Sequence, residues 1–167
     1  FERYRHVLTN GRFLLASVSI GFESLARYGL LIWVPYHYLG RDWKGQPGSI
    51  WITLALPVGM AFGALSSGFI SDKLFRANRS RPIALFLTLA ASAALGMYLV
   101  PREHHLAGLA LLFLAGFLVY GPQSSYWALC PDLLGRQRAG TGVGLMDAVA
   151  YAFAAAGGPI IGFVIER

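Results

Sequence analysis

Glu23 and Arg27 stand four residues apart inside an apolar run, FLLASVSIGFESLARYGLLIWVPYHYL, that covers residues 13–39. A run of that length crosses a bilayer with some length left for tilt. A charge near the middle of such a helix costs roughly 2.5–3.5 kcal/mol on insertion scales, so it is kept from lipid and faces a bundle interior or a wet cavity. Arginine offers a planar fork of donors that fits carboxylate or phosphate. Arg27 is therefore read as the group that meets an anionic solute at mid-membrane. The competing reading is an intrahelical ion pair, since acid before base at four residues is the favoured order.

The rest of the chain has to place that helix in a membrane. Apolar residues make up 56% and charged residues 13% of the 167, and the mean hydropathy is +0.53. Soluble domains carry roughly 45–50% apolar and 25% charged residues. Five spans follow from the pattern, at 13–39, 49–70, 83–100, 106–130 and 139–165. A soluble bundle would show a polar stripe on every helix, and the third span, IALFLTLAASAALGMYLV, has almost none. The expected class is an all-α membrane protein. Its chain starts at Phe1, without methionine, and stops as a helix finishes, so a piece of a longer protein is expected.

The net charge of +6 sits in short loops, which is the pattern of topology signals and not of a nucleic-acid face. Arg3, Arg5, Arg12, Lys73, Arg76, Arg79, Arg81, Arg136 and Arg138 fall on one side of the alternating spans. Arg41, Lys44, Arg102 and Arg167 fall on the other. The bias puts the first group in the cytoplasm and loop 40–48 outside.

Transporters often repeat three-helix units in inverted topology. Here spans one to three make one unit, and spans four and five make two thirds of another. The first helix of each carries a similar interruption, Arg27-Tyr28-Gly29 before Trp33 and Tyr120-Gly121-Pro122 before Trp127.

The most specific stretch is Gly68-Phe69-Ile70-Ser71-Asp72-Lys73-Leu74-Phe75-Arg76-Ala77-Asn78-Arg79. Glycine there would let the helix end pack closely, and Asp72 can pair with the basic residues beside it. This stretch resembles the cytoplasmic signature loop of the major facilitator superfamily in its second-half copy. Its Gly-x-x-Ser-Asp-Lys-x-Phe-Arg-x-Asn-Arg form is similar to the organophosphate:phosphate antiporter branch, which holds glycerol-3-phosphate and hexose-phosphate transporters. The resemblance continues in Arg27-Tyr28-Gly29-Leu30-Leu31-Ile32-Trp33 and Gly116-Phe117-Leu118-Val119-Tyr120-Gly121-Pro122-Gln123. It returns in Ala139-Gly140-Thr141-Gly142-Val143-Gly144 and at Tyr151.

The resemblance implies a half-bundle, family helices seven to eleven, with an N-terminal half and a twelfth helix lying elsewhere in the protein. It implies that Arg27 holds the substrate phosphate together with an arginine of the other half. It implies that Tyr120 and Tyr151 line the central pore, and that Gly68, Asp72, Lys73, Arg76 and Arg79 form the signature loop. The expected partners are a small anionic substrate, inorganic phosphate or a proton as counter- or co-substrate, the lipid bilayer and the N-terminal half. The expected place is a bacterial inner membrane. Where the glycerol-3-phosphate members have acidic residues, this chain has Ile32 and Leu56. Its own intramembrane acids are Glu23 and Asp147, so a proton-coupled carrier, including a carboxylate carrier, is an alternative. A sensor of a phosphorylated sugar with the same fold is another.

Plainer roles stand beside these. Tyr120 and Tyr151 can be packing aromatics, and Asp147 can hydrogen-bond a neighbouring helix. Gly59 with Gly63, and Gly140 with Gly144, have the spacing of small-residue helix contacts. His37 lies near a helix end, and His104 and His105 lack a third ligand, so neither metal nor cofactor is expected. Ser124, Ser125 and Cys130 have no positioned base, so an enzyme is not expected.

Overall fold

The computed structural model describes residues 7–39, 49–76, 78–100 and 105–165, with the backbone alone for 35–39, 98, 105, 164 and 165. Loops 40–48 and 101–104, the basic residues Arg3, Arg5 and Arg167, and the side chains of His37, His104 and His105 lie outside the described residues. The helices are α1 (Gly11–Leu39), α2 (Ser49–Leu74), α3 (Ser80–Leu99), α4 (His105–Tyr120), α5 (Gln123–Leu134) and α6 (Ala139–Ile165). A 3-10 turn, Arg136–Arg138, joins α5 to α6. Among the described residues five spans are long and apolar enough to cross a membrane, with α4 and α5 together making the fourth.

The element ends differ from the apolar runs for local reasons. α1 starts two residues early because Asn10 caps it, its Oδ1 accepting from the Phe13 backbone N–H at 3.1 Å. Asn10 also donates to the Leu133 carbonyl at 3.3 Å, tying α1 to α5. α2 runs on to Leu74, so Ser71, Asp72 and Lys73 stand on the helix and not in a loop. α3 begins at Ser80, with Pro82 in its first turn, where a missing N–H is harmless.

The fourth span is broken rather than continuous. Pro122 cannot donate to the preceding turn, and α4 closes with the Gly121 N–H on the Phe117 carbonyl at 3.0 Å. α5 restarts with the Tyr126 N–H on the Pro122 carbonyl at 3.0 Å and continues through Pro131. Tyr120 is therefore the last residue of one helix, beside a bend.

α1 packs chiefly on α6, and α2 on α4, with α3 laid against α4. The α2–α4 contact is a backbone approach. A Cβ on Gly59 would strike the Phe113 carbonyl, one on Gly63 the Phe117 carbonyl, and one on Gly116 the Leu56 carbonyl. The expectation for Gly59 and Gly63 holds. Gly140 and Gly144 make no such contact among the described residues, where nothing lies within 4 Å of a Cβ at either. Gly142, between them, is the packed glycine, against Leu134, Cys130 and Phe13.

Two buried clusters result. One joins Phe13 and Ile20 of α1 to Tyr126 and Cys130 of α5 and Met146 of α6. The other joins Leu56 and Met60 of α2 to Phe86 and Ala90 of α3 and to Ala115 and Val119 of α4. Only 22–44% of each span is buried within the chain. Apolar side chains such as Leu15, Phe22, Trp51 and Leu65 stand exposed, as surfaces that meet lipid or further protein do.

Candidate functional site

α1 carries Arg27 to the level of the α4–α5 bend. There its guanidinium lies over two rings, 4.7 Å from the centroid of Tyr28 and 4.8 Å from that of Tyr120. A cation placed within about 6 Å of a ring face is attracted by the ring quadrupole, more strongly where water is excluded. The Arg27 Nε is buried and has no hydrogen-bond partner among the described residues. α6 closes the group through Tyr151, whose ring centroid lies 6.3 Å from that of Tyr28. Arg27, Tyr120 and Tyr151 therefore come together, and Tyr28 is what links them.

Tyr28 has no role in the sequence-based expectations. The signal that marks it is its position next to Arg27, in a helix where an adjacent ring can turn over the guanidinium. Tyr151 is more than half exposed, so one side of the group is open. Asp147, one turn before Tyr151 on α6, is half-buried and makes no ion pair within 4.0 Å among the described residues.

Glu23 does not pair with Arg27. Among the described residues the one ion pair within 4.0 Å joins Arg79 to Asp72. Glu23 is 2% exposed. Its Oε2 accepts from Ser24 Oγ at 3.3 Å, and its Oε1 has no partner among the described residues. One turn back, Ser19 Oγ is 2.5 Å from the Tyr126 hydroxyl of α5. Ser19 and Tyr126 were also invisible as site residues, though Ser19 shares the Glu23 face by its four-residue spacing. An apolar cavity of about 890 Å³ lies between α1 and α3, and Ser19 and Glu23 are polar residues on its wall.

The signature stretch forms its own network at the end of α2. Arg79 pairs with Asp72 and donates to Ser71 Oγ at 3.0 Å. Asp72 is 61% exposed, so this pair contributes little to stability. Lys73 Nζ sits 4.5 Å from the Phe69 ring centroid. Arg76 takes φ 50, a left-handed turn that ends the helix, and the Asn78 N–H reaches back to the Phe75 carbonyl at 2.9 Å. Gly68 is not a close-approach glycine, since a Cβ there would lie 3.9 Å from Ser124 Oγ, an ordinary contact. What holds that level is a hydroxyl pair, Ser67 Oγ to Ser124 Oγ at 2.7 Å, between α2 and α5.

The profile of the Major Facilitator Superfamily matches residues 1–159. The chain belongs to that superfamily. It is 29% identical over 168 residues to a glycerol-3-phosphate transporter of Bacillus subtilis (strain 168), covering 98% of this chain and 37% of that protein. It is 27% identical over 165 residues to a probable hexose phosphate transport protein of Chlamydia pneumoniae, covering 98% of this chain and 36% of the relative. A partial likeness, 31% over 110 residues, is to the membrane sensor protein UhpC of Salmonella typhimurium (strain LT2), covering 65% of this chain and 25% of that one. These relatives support the organophosphate:phosphate antiporter branch, and the chain spans little more than a third of the length of the first two.

Proposed function

We propose that the chain is the C-terminal transmembrane half of a secondary transporter, family helices seven to eleven. It moves an organic anion across a bacterial inner membrane by alternating access. The substrate class is a phosphorylated metabolite such as glycerol-3-phosphate or a sugar phosphate. The observation that carries this is the intramembrane guanidinium of Arg27, held between the Tyr28 and Tyr120 rings with no carboxylate among the described residues paired to it. A guanidinium so held has its donors free for a tetrahedral oxyanion. Tyr151 would border the same space. The glycerol-3-phosphate and hexose phosphate relatives support a phosphate ester, and an N-terminal half would supply the opposing wall. Counter-transport of inorganic phosphate is the first expectation from the branch.

The test is binding of glycerol-3-phosphate and glucose-6-phosphate by the full-length protein and its Arg27→Lys variant. Lysine keeps the charge and loses the fork. A charge-assisted hydrogen bond is worth about 1.5–3 kcal/mol, roughly tenfold to a hundredfold in affinity. That loss is expected with expression maintained, and equal affinities would refute the site. The sensor reading is favoured only by the partial likeness to UhpC, and robust uptake into proteoliposomes would exclude it.

A further inference from the structure

Gln123 opens α5, directly after the break in the fourth span. Its Oε1 is buried and has no hydrogen-bond partner among the described residues. An enclosed amide oxygen left without a donor is costly, so a donor has to reach it from somewhere.

The packing of α5 fixes which way Gln123 faces. Pro122 keeps helical dihedrals, φ −62 and ψ −17, so the rotation of side chains about the axis carries through the bend. Two hydroxyl contacts then mark directions around α5. Ser124 Oγ meets Ser67 Oγ of α2 at 2.7 Å, and the Tyr126 hydroxyl meets Ser19 Oγ of α1 at 2.5 Å. At about 100° per residue, Gln123 falls between those two directions, in the same arc as Tyr120. Gly121 and Ser125 fall in the opposite arc, and a Cβ on Gly121 would strike Phe86 of α3. Gln123 therefore lies on the face that brings the Tyr120 ring to 4.8 Å from the Arg27 guanidinium, one turn further along.

The polar groups beside it are engaged. Arg27 is turned to the Tyr28 and Tyr120 rings, and Ser124 is paired with Ser67. A neutral amide is a poor partner for a phosphate, because its oxygen faces the anion's oxygens with like charge. It suits a hydroxyl, which can donate to the amide oxygen and accept from the amide NH₂. Three residues of helix are about 4.5 Å of rise, a separation that the phosphate and hydroxyls of a small polyol phosphate span.

We propose that Gln123 is a specificity residue that reads the hydroxyl groups of the substrate whose phosphate Arg27 holds. The inference rests on the transport reading above and assigns the part of the substrate that the anion site leaves unread. An alkyl phosphate of the same size satisfies Arg27 but leaves the Gln123 oxygen without a donor, so the polyol ester is preferred.

The experiment is equilibrium binding of matched ligand pairs to the purified full-length protein. Glycerol-3-phosphate is compared with propyl phosphate, and glucose-6-phosphate with cyclohexylmethyl phosphate, each alkyl ester lacking the hydroxyls. The parent should prefer the hydroxylated member of at least one pair by roughly tenfold. Gln123→Met keeps the length of the side chain and removes the amide. Its preference should fall to about one, with affinity for the alkyl ester unchanged, whereas a merely structural role would weaken both members alike. Gln123→Glu keeps an acceptor, so it should keep the preference while its charge weakens both members. Equal affinities within both pairs for the parent, or a Gln123→Met protein that keeps the preference, overturns the proposal with the anion site intact. A Gln123→Glu protein that loses the preference overturns it as well. A parent that binds no member of either pair refutes the anion site at Arg27, and the hydroxyl reading with it.

Discussion

Removing one of the two rings beside Arg27 tests whether the rings hold the guanidinium for a ligand. The centroid distances of 4.7 and 4.8 Å make Tyr28 and Tyr120 nearly equal partners. A cation–π contact is worth about 0.5–1 kcal/mol when exposed and about 2 when desolvated. Arg27 is half-buried with its Nε enclosed, so each ring falls between those limits. Tyr28→Leu or Tyr120→Leu should then weaken phosphate-ester binding by about 2- to 30-fold. Tyr→Phe at either position keeps the ring face and should recover most of the loss. The assay is equilibrium binding of glycerol-3-phosphate to purified full-length protein, with thermal unfolding as a control for packing. If both Leu variants bind like the parent, the rings are packing and the clamp is refuted. If Phe is as damaging as Leu, the hydroxyls matter and not the cation–π contact.

Two further outcomes concern the bundle itself. Gly63→Ala drives a Cβ into the Phe117 carbonyl and should cost about 1–3 kcal/mol by overpacking, whereas Gly144→Ala, with nothing within 4 Å, should gain up to about 1 kcal/mol of helix propensity. Unfolding in detergent checks both, and equal stabilities would contradict the α2–α4 contact. A cysteine at exposed Ser80, at the start of α3, should react with an impermeant thiol reagent only from the cytoplasmic side, since native Cys130 is buried. Reaction from the outer side alone would invert the topology.

Much of this fold is visible in the sequence because membrane spans are written in long apolar runs and basic loops. The five spans follow from such signals, and the Gly59–Gly63 contact from the four-residue spacing of small residues, whereas Tyr120 and Tyr151 are tied to Arg27 by the family resemblance and not by hydropathy. The partner choice of Glu23 does not. Helical periodicity says that Glu23 and Arg27 share a face, and it is silent about the Tyr28 and Tyr120 rings that compete for the guanidinium. The Gly121-Pro122 pair marks an interruption, but whether a helix kinks or stops there depends on neighbours such as Phe86, which a Cβ on Gly121 would strike. The Asn10 cap lies outside the apolar run, so hydropathy alone starts α1 too late.

Gly140 and Gly144 show how a correct signal can point at a different surface. Their four-residue spacing marks a small-residue face, yet inside this bundle that face meets nothing and Gly142, rotated to the other side, makes the contact. At 100° per residue, Gly140, Gly144, Asp147, Tyr151 and Gly158 fall on one stripe of α6. Gly158 likewise has nothing within 4 Å of a Cβ, and Tyr151 is more than half exposed. A membrane helix has no reason to turn a carboxylate toward lipid. The stripe that carries Asp147 and Tyr151 is thus better matched to protein or a wet pathway than to acyl chains. Under the proposed half-transporter it is the wall that the second half approaches, and small residues are what allow two helices to close there and part again.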